Sequence, residues 1–328
     1  MKATALAHPN IALIKYWGKR DKLLFLPQNG SISLTLDGMW TKTTIEFSNA
    51  HKIDSLTINN EPSELTDHQV NHLDKIRELG GTTAHAKIAS ETNFPVGAGL
   101  ASSASGLAAL TAAATKALGL ELTEKELSIL TRQGSGSASR SICEGFAEWH
   151  RGEKDDGTDS FAETIAPKDY WPGMRLIATI VSEEKKKISS RAGHEQTVAT
   201  CPYYGGWLAT IKDDLTAMRT AIKEKDFTLL GETAEFNCLK MHATMITTKP
   251  SIMYWEPASV EIMHAIQQWR EEGLESYFTI DAGPQVKVLC MEKDVEEIEK
   301  KLQALLGVKR TIVCKPGDGV SYSEEHLF

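Results

Sequence analysis

The stretch PVGAGLASSASGLAAL, residues 95–110, carries very little side-chain bulk. Glycines at 97 and 99 let backbone N–H groups approach a ligand with no Cβ in the way. A helix starting just beyond them would point its free N-terminal amides and positive dipole end at the same spot. Together these features make an anion site, to which the hydroxyls of Ser102 and Ser103 can add donors or reach a metal ion. No lysine follows the glycines as a Walker A loop requires, and Gly97-Ala98-Gly99 is not continued into a dinucleotide fingerprint. Taken alone, such a turn serves helix packing more often than phosphate binding.

Three further stretches bring cations to hydroxyl- or glycine-rich sequence. HPNIALIKYWGKRD sets Lys15, Lys19 and Arg20 beside Tyr16 and Trp17. RQGSGSASRS alternates Gly and Ser between Arg132 and Arg140, and a guanidinium there is suited to bidentate binding of an oxyanion. KKKISSR gathers three lysines, two serines and Arg191. In a protein of net charge −8, three such clusters are more than solvated faces and read as separate grips on a polyanionic ligand. TIDAGPQV adds Asp281 at a strand end before a Gly-Pro turn, as a base, a metal ligand or a structural counter-ion.

The elements that must position these residues follow from periodicity. The N-terminal part is β-rich: IALIKYW is an apolar run around Lys15, SISLTLDG alternates up to a turn, and Asn59-Asn60 is placed to turn a hairpin. A helical pattern covers 67–79, and AHAKIASETNF is a strand leading into the glycine loop. The Ala-rich helix after the loop ends near Gly119, and Thr123 with Glu126 has capping-box spacing for a helix to about Arg132. The second half alternates helices at about 203–225, 226–246, 257–273 and 292–306 with short strands YFTIDAG, QVKVLC and RTIVCK. Strands followed by a few long helices predict α+β layers rather than regular βαβ winding.

At 328 residues the chain exceeds what one core usually covers, so two domains are expected, residues 1–180 and 181–328. The negative charge argues against nucleic acid or an anionic membrane as partner. Five dispersed cysteines without CxxC spacing read as reduced thiols of a cytoplasmic protein. His8, Pro9 and Asn10 interrupt any signal-peptide core, and 100–120 is too rich in Ala, Ser, Thr and Gly for a membrane span.

NIALIKYWGKRD, NFPVGAGLASSASG, RQGSGSASRS, KKISSR and DAGP, in that order over nearly the whole chain, resemble the GHMP kinase superfamily and, within it, the mevalonate diphosphate decarboxylase family. The glycine loop alone would indicate only the superfamily, whereas KYWGKRD with GSGSAxRS is far more specific. The resemblance implies a GHMP kinase fold, with an N-terminal ribosomal-protein-S5-like domain, a C-terminal ferredoxin-like domain and an active site between them. It also implies ATP and Mg²⁺, 5-diphosphomevalonate as substrate, phosphorylation of its tertiary C3 hydroxyl, then loss of phosphate and CO₂ to give isopentenyl diphosphate. A homodimer is common among such relatives.

Carried over residue by residue, the resemblance assigns catalysis to Asp281, Arg140 and Lys15, with Arg140 on the substrate carboxylate. Tyr16, Lys19, Ser135, Gly136, Ser137, Ser190 and Arg191 fall on substrate-binding positions. Gly97, Gly99, Ala101, Ser102 and Ser103 fall on the ATP phosphate loop, with Ser103 as the metal ligand, and one of Lys185 to Lys187, taken as Lys186, reaches the transferring phosphate. The sequence departs from the family pattern at Gly30, Ser139, Glu144 and Gln285, which bears on the substrate's 5-substituent more than on the reaction type. A decarboxylase of the monophosphate, a mevalonate 3-kinase and a non-catalytic nucleotide or phosphometabolite sensor are the competing readings.

Blander roles are expected elsewhere. His68 and His72 have i, i+4 spacing but no HExxH context, which predicts a solvated helix face. His242 reads as a core histidine or a substrate contact, and Trp149, Trp171 and Trp255 as packing anchors.

Overall fold

The computed structural model describes residues 1–95, 99–184 and 186–328. A six-stranded sheet runs in the order Ser321–Ser323, Lys2–Ala7, Thr41–Ser48, His85–Thr92, Ser55–Ile58, Glu61–Ser63. Its pairings are antiparallel except that of Ser55–Ile58 with His85–Thr92. Asn59 and Asn60 turn the expected hairpin with φ of 50° and 67°, a conformation asparagine tolerates better than most residues. A four-stranded sheet, Ala162–Ala166, Phe146–Trp149, Ser31–Thr35, Asn10–Ile14, carries the Lys15 stretch at one edge.

The helix Ser102–Ala117 packs on this N-terminal framework. Twelve of its sixteen residues are buried, so it is internal all round rather than amphipathic, which its small side chains permit. Thr123 and Glu126 form the expected capping box of the helix Glu124–Gly134. A second box, Thr66 with Gln69, starts the helix Asp67–Leu79.

A second four-stranded sheet, Tyr277–Ile280, Val286–Met291, Met174–Ile180, Arg310–Cys314, belongs to the C-terminal half. The strand just before the expected boundary at residue 180 belongs to this sheet. Met174–Ile180 pairs on both sides with C-terminal strands, so sheet membership changes between Ala166 and Met174. The helices Tyr204–Glu224, Phe227–Ile246 and Pro257–Glu271 lie close to their expected bounds. Two elements differ from expectation. Of RQGSGSASRS, Arg132–Gly134 end the preceding α-helix and a 3₁₀ helix runs over Gly136–Ile142, while a helix Ser190–Thr200 begins inside the KKKISSR cluster.

Buried side chains gather in three clusters. One lies within the N-terminal half and one within the C-terminal half. The third draws on both, joining Ile11 and Leu34 to Leu176, Trp207 and Leu230. The chain then crosses back: Leu36 bridges Pro316, and Ser321–Ser323 joins the edge of the first sheet. All five cysteines are free, and among the described residues no helix is long and apolar enough to cross a membrane.

Candidate active site

Lys15 follows the last residue of the strand Asn10–Ile14 and is buried, as a lysine inside an apolar run must be. Its backbone N–H donates to Asn237 Oδ1 at 2.8 Å, which fixes the strand end on the helix Phe227–Ile246. Its Nζ donates to the Ala12 carbonyl at 2.8 Å and to Asp281 Oδ1 at 2.6 Å. From the other side Lys287 Nζ approaches Asp281 Oδ2 at 3.5 Å. Burial by itself would raise the Asp281 pKa, but Lys15 and Lys287, with Arg140 behind them, outweigh it and hold the carboxyl at about 2. With 24 % of its side chain accessible, this carboxylate faces a cavity of about 510 Å³.

Every described residue placed at the site by the sequence lines that cavity: Lys15, Tyr16, Lys19, Gly99, Ala101, Ser102, Ser103, Ser135, Gly136, Ser137, Arg140, Lys186, Ser190, Arg191 and Asp281. Gly97 and Lys185 lie outside the described residues.

One wall is the start of the Ala-rich helix. Ala101 caps it in the left-handed region at φ 56° without a side-chain hydrogen bond, a conformation that costs a non-glycine residue about 1–2 kcal/mol. Gly99, at φ +86°, has a second role beyond approach to a ligand. A Cβ there would stand 2.9 Å from Gly283 Cα, so the glycine loop and the DAGP turn touch backbone to backbone.

The opposite wall holds the donors. Arg140 Nε donates to Asn10 Oδ1 at 3.1 Å, and Asn10 Nδ2 in turn donates to the Ser137 carbonyl and Ser141 Oγ at 3.0 and 2.8 Å. Burial lowers the Arg140 pKa to about 10, with Asp281 and Tyr16 working the other way, so it remains charged at neutral pH. The Tyr16 hydroxyl and Arg140 Nη1 are buried with no hydrogen-bond partner among the described residues. Burial also pushes the Tyr16 phenol up, despite the pull of Arg140, so it stays a donor. Gly136 is glycine for packing reasons, since a Cβ would meet Trp149 at 2.8 Å and Tyr16 at 3.0 Å.

Cations line the rim. Lys19 Nζ sits 3.9 Å over the Phe25 ring, and burial together with Arg191 lowers its pKa to about 8. Lys186 Nζ donates to Ser190 Oγ and to the Ala282 carbonyl, both at 2.7 Å, and burial brings it to about 8 as well. Ser190 and Arg191 open a helix with no acidic residue in its first turn. A cation at a helix N-terminus is unfavourable unless an anion joins it.

Several residues in the cavity or packed behind it escaped the sequence reading. Asn10 orients Arg140 from 130 residues away, a pairing that sequence spacing does not signal. His194 takes the Gly18 N–H on Nδ1 at 3.0 Å and lies against Trp17 and Tyr16. Burial lowers its pKa well below the usual range, so the ring is neutral. Lys287 interrupts the apolar strand QVKVLC as Lys15 interrupts IALIKYW, and that shared signal was the available clue.

The solvated face expected for His68 and His72 is corrected. His68 lines the cavity, bonds the Gly134 carbonyl and leans on Phe25. His72 is buried on Thr111 Oγ1 at 2.8 Å, and burial lowers its pKa to about 3. His242 is a core histidine on the Ile280 carbonyl at 3.2 Å, stacked near Trp255. Trp149 and Trp171 are buried in the cores as expected.

None of the four departures lines the cavity. Gly30 packs where a Cβ would meet Leu215 and the Trp149 carbonyl, each at 3.3 Å. Ser139 Oγ bonds the Gly136 carbonyl at 2.7 Å, and the Glu144 carboxylate takes the Lys168 N–H at 3.3 Å. Gln285 accepts the Val181 N–H at 2.7 Å and donates to the Ser182 carbonyl, pinning the DAGP turn to the neighbouring strand end.

A family model described as the diphosphomevalonate decarboxylase-like N-terminal domain matches residues 7–162, and one described as the mevalonate 5-diphosphate decarboxylase C-terminal domain matches 176–320. The diphosphomevalonate decarboxylase of Aspergillus fumigatus is 38% identical over 327 residues, covering 93% of this chain and 81% of the relative. The chain belongs to the diphosphomevalonate decarboxylase family. The human decarboxylase is 34% identical, with 90% of this chain and 78% of the relative covered. The mevalonate diphosphate decarboxylase of Enterococcus faecalis superposes with a TM-score of 0.92 at 41% identity over 99% of both chains. A structure described as a complex with MVAPP, AMPPCP and magnesium reaches 0.93 at 41% identity, again over 99% of both. The fold of this decarboxylase family member is thus the α+β GHMP kinase fold of those structures.

Proposed function

We propose that the protein catalyses the ATP-dependent decarboxylation of (R)-5-diphosphomevalonate to isopentenyl diphosphate, ADP, phosphate and CO₂. The observation that carries this reading is the cavity in which Asp281, held ionised by two lysines, faces Arg140 on one side and the start of the helix Ser102–Ala117 on the other.

The residues suit a phosphoryl transfer followed by an elimination. Asp281, at about 2, is a weak base. Its part is to accept the C3–OH hydrogen bond and aim the oxygen at the γ-phosphorus, which suffices when phosphoryl transfer is largely dissociative. As the bond from the C3 oxygen to the γ-phosphorus forms, the bond from that phosphorus to the bridging oxygen of ADP breaks, and the hydroxyl proton leaves toward Asp281. Phosphate is then a far better leaving group than hydroxide. When the C3–O bond breaks, the electron pair of the C–CO₂⁻ bond becomes the new C=C bond. Arg140, with a free guanidinium face, holds that carboxylate in line. Tyr16, Lys19, the Ser135–Ser137 turn, Ser190 and Arg191 hold the diphosphate.

Nucleotide phosphates fit the helix start, where the N-cap residue Ala101 makes no side-chain capping bond. Among the described residues no three His, Cys, Asp or Glu side chains cluster as a metal cage. That suits Mg²⁺ arriving with nucleotide phosphates, with the Ser103 hydroxyl as its protein ligand. The ion supplies charge neutralisation on the phosphates.

The domain division is proposed between Ala166 and Met174, where sheet membership changes. A homodimer rests on the family resemblance alone, and light scattering at about twice the 36.1 kDa chain mass checks it. Residence in the cytoplasm is supported by five unpaired thiols.

The deciding experiment couples ADP release to a spectrophotometric readout with mevalonate, its 5-phosphate and its 5-diphosphate, and detects the alkene by mass. ADP and isopentenyl diphosphate in equal amounts from the diphosphate are expected. ADP without alkene would make the protein a 3-kinase, and neither product would leave a binding protein.

A further inference from the structure

Lys287 has no contact with the cavity and no exposed surface, yet its ammonium is fully engaged. It donates to the Gly99 carbonyl at 2.7 Å and the Gln285 carbonyl at 3.2 Å, and faces Asp281 Oδ2 at 3.5 Å. A lysine has three N–H donors and no acceptor, so three acceptors satisfy it completely. Two of them flank the DAGP turn. The third belongs to the glycine loop, 188 residues away in sequence.

We propose that Lys287 is a positioning residue that locks the Asp281 carboxylate to the nucleotide-phosphate loop through Gly99, touching neither substrate. The proposal rests on the decarboxylase reading of the cavity. Phosphoryl transfer needs the acceptor oxygen, aimed by Asp281, and the donor phosphate, cradled by the loop, at one fixed separation. Misplacement by about 1 Å costs on the order of a hundredfold in rate. The close backbone contact of Gly99 with Gly283 sets that separation from one side, and the lysine bridge holds it from the other. Lys15 fixes the remaining carboxylate oxygen from the N-terminal strand. Asp281 therefore cannot turn away from the loop without breaking one of two ion pairs.

Wild-type turnover of ATP and mevalonate diphosphate tests the underlying reading first. Lys287→Met and Lys287→Arg are then compared for kcat, both KM values, ADP affinity by calorimetry and Tm. In Lys287→Met, kcat is expected to fall about tenfold or more, while KM for ATP and Kd for ADP rise roughly threefold or more. KM for mevalonate diphosphate should stay within about twofold, and Lys287→Arg should recover part of the loss. ADP affinity is read without turnover, so it separates failure of this assignment from failure of the decarboxylase reading. A lower Tm with ADP affinity and both KM values unchanged would make Lys287 a structural lysine and overturn the proposal, as would a fully active Met variant. Should Lys287→Met not fold, Lys287→Gln, a shorter and uncharged side chain that stays polar, replaces it, and the same split in KM decides.

Discussion

Arg140 gives its Nε–H to Asn10 Oδ1 at 3.1 Å, while its buried Nη1 group finds no hydrogen-bond partner among the described residues. The asparagine thus fixes the plane of a guanidinium that lines the cavity. Arg140→Lys preserves charge but not the parallel pair of N–H donors, and an ammonium cannot reproduce it. Activity is expected to fall by about 10²-fold or more, with 3-phosphorylated substrate accumulating if transfer outlives elimination. Full activity of the lysine variant, by steady-state assay, would reduce Arg140 to a diffuse positive field.

Asp281→Ala should retain ATP and substrate binding but lose turnover by about 10²–10⁴-fold, because the aimed hydrogen-bond acceptor is gone. Calorimetry for binding and product mass for turnover read the two effects separately. A near-normal rate would show that the carboxylate serves only as counter-ion to Lys15 and Lys287.

The rim cations set an alkaline limit. Lys19 and Lys186 titrate at about 8 in the ligand-free protein, so each is charged below that pH and neutral above it. Bound phosphate favours the charged form and raises both values. kcat/KM should therefore decline as pH rises past about 8, while kcat holds to higher pH. Binding near pH 8 should take up protons, seen as a buffer-dependent heat. Coincident alkaline limbs for kcat and kcat/KM would contradict this.

The donor set around Tyr16, Lys19, Ser135, Ser137, Ser190 and Arg191 exceeds what one phosphate can engage. Stranding two such groups costs about 1–3 kcal/mol each. The 5-monophosphate should accordingly be poorer by about a hundredfold in kcat/KM, and Arg191→Ala should narrow the gap by penalising the diphosphate most. Equal efficiency on both substrates would refute the assignment.

Local chemistry was largely legible in the sequence. The glycine loop, the buried Lys15, the GSGSASR turn and Asp281 each carry a short-range signature, and the capping box at Thr123 and Glu126 fixed a helix start in advance. Tertiary partners were not. Asn10 meets Arg140, and Lys287 meets Gly99, only through packing between distant segments. The helix Ser190–Thr200 carries little apolar periodicity, and its start is marked only by Ser189, whose hydroxyl caps it by accepting the Ala192 N–H at 3.2 Å. His72 looked solvated because helical spacing says nothing about which side the Ala-rich helix covers.

One buried cluster takes side chains from both halves of the chain, with Ile11 and Leu34 packed among Leu176, Trp207 and Leu230. The two halves therefore share a foundation, and neither can melt while the other stands. Differential scanning calorimetry should show a single heat-absorption peak, not two. Hinging the halves apart would bring these buried side chains into water, so the shared cluster opposes such an opening.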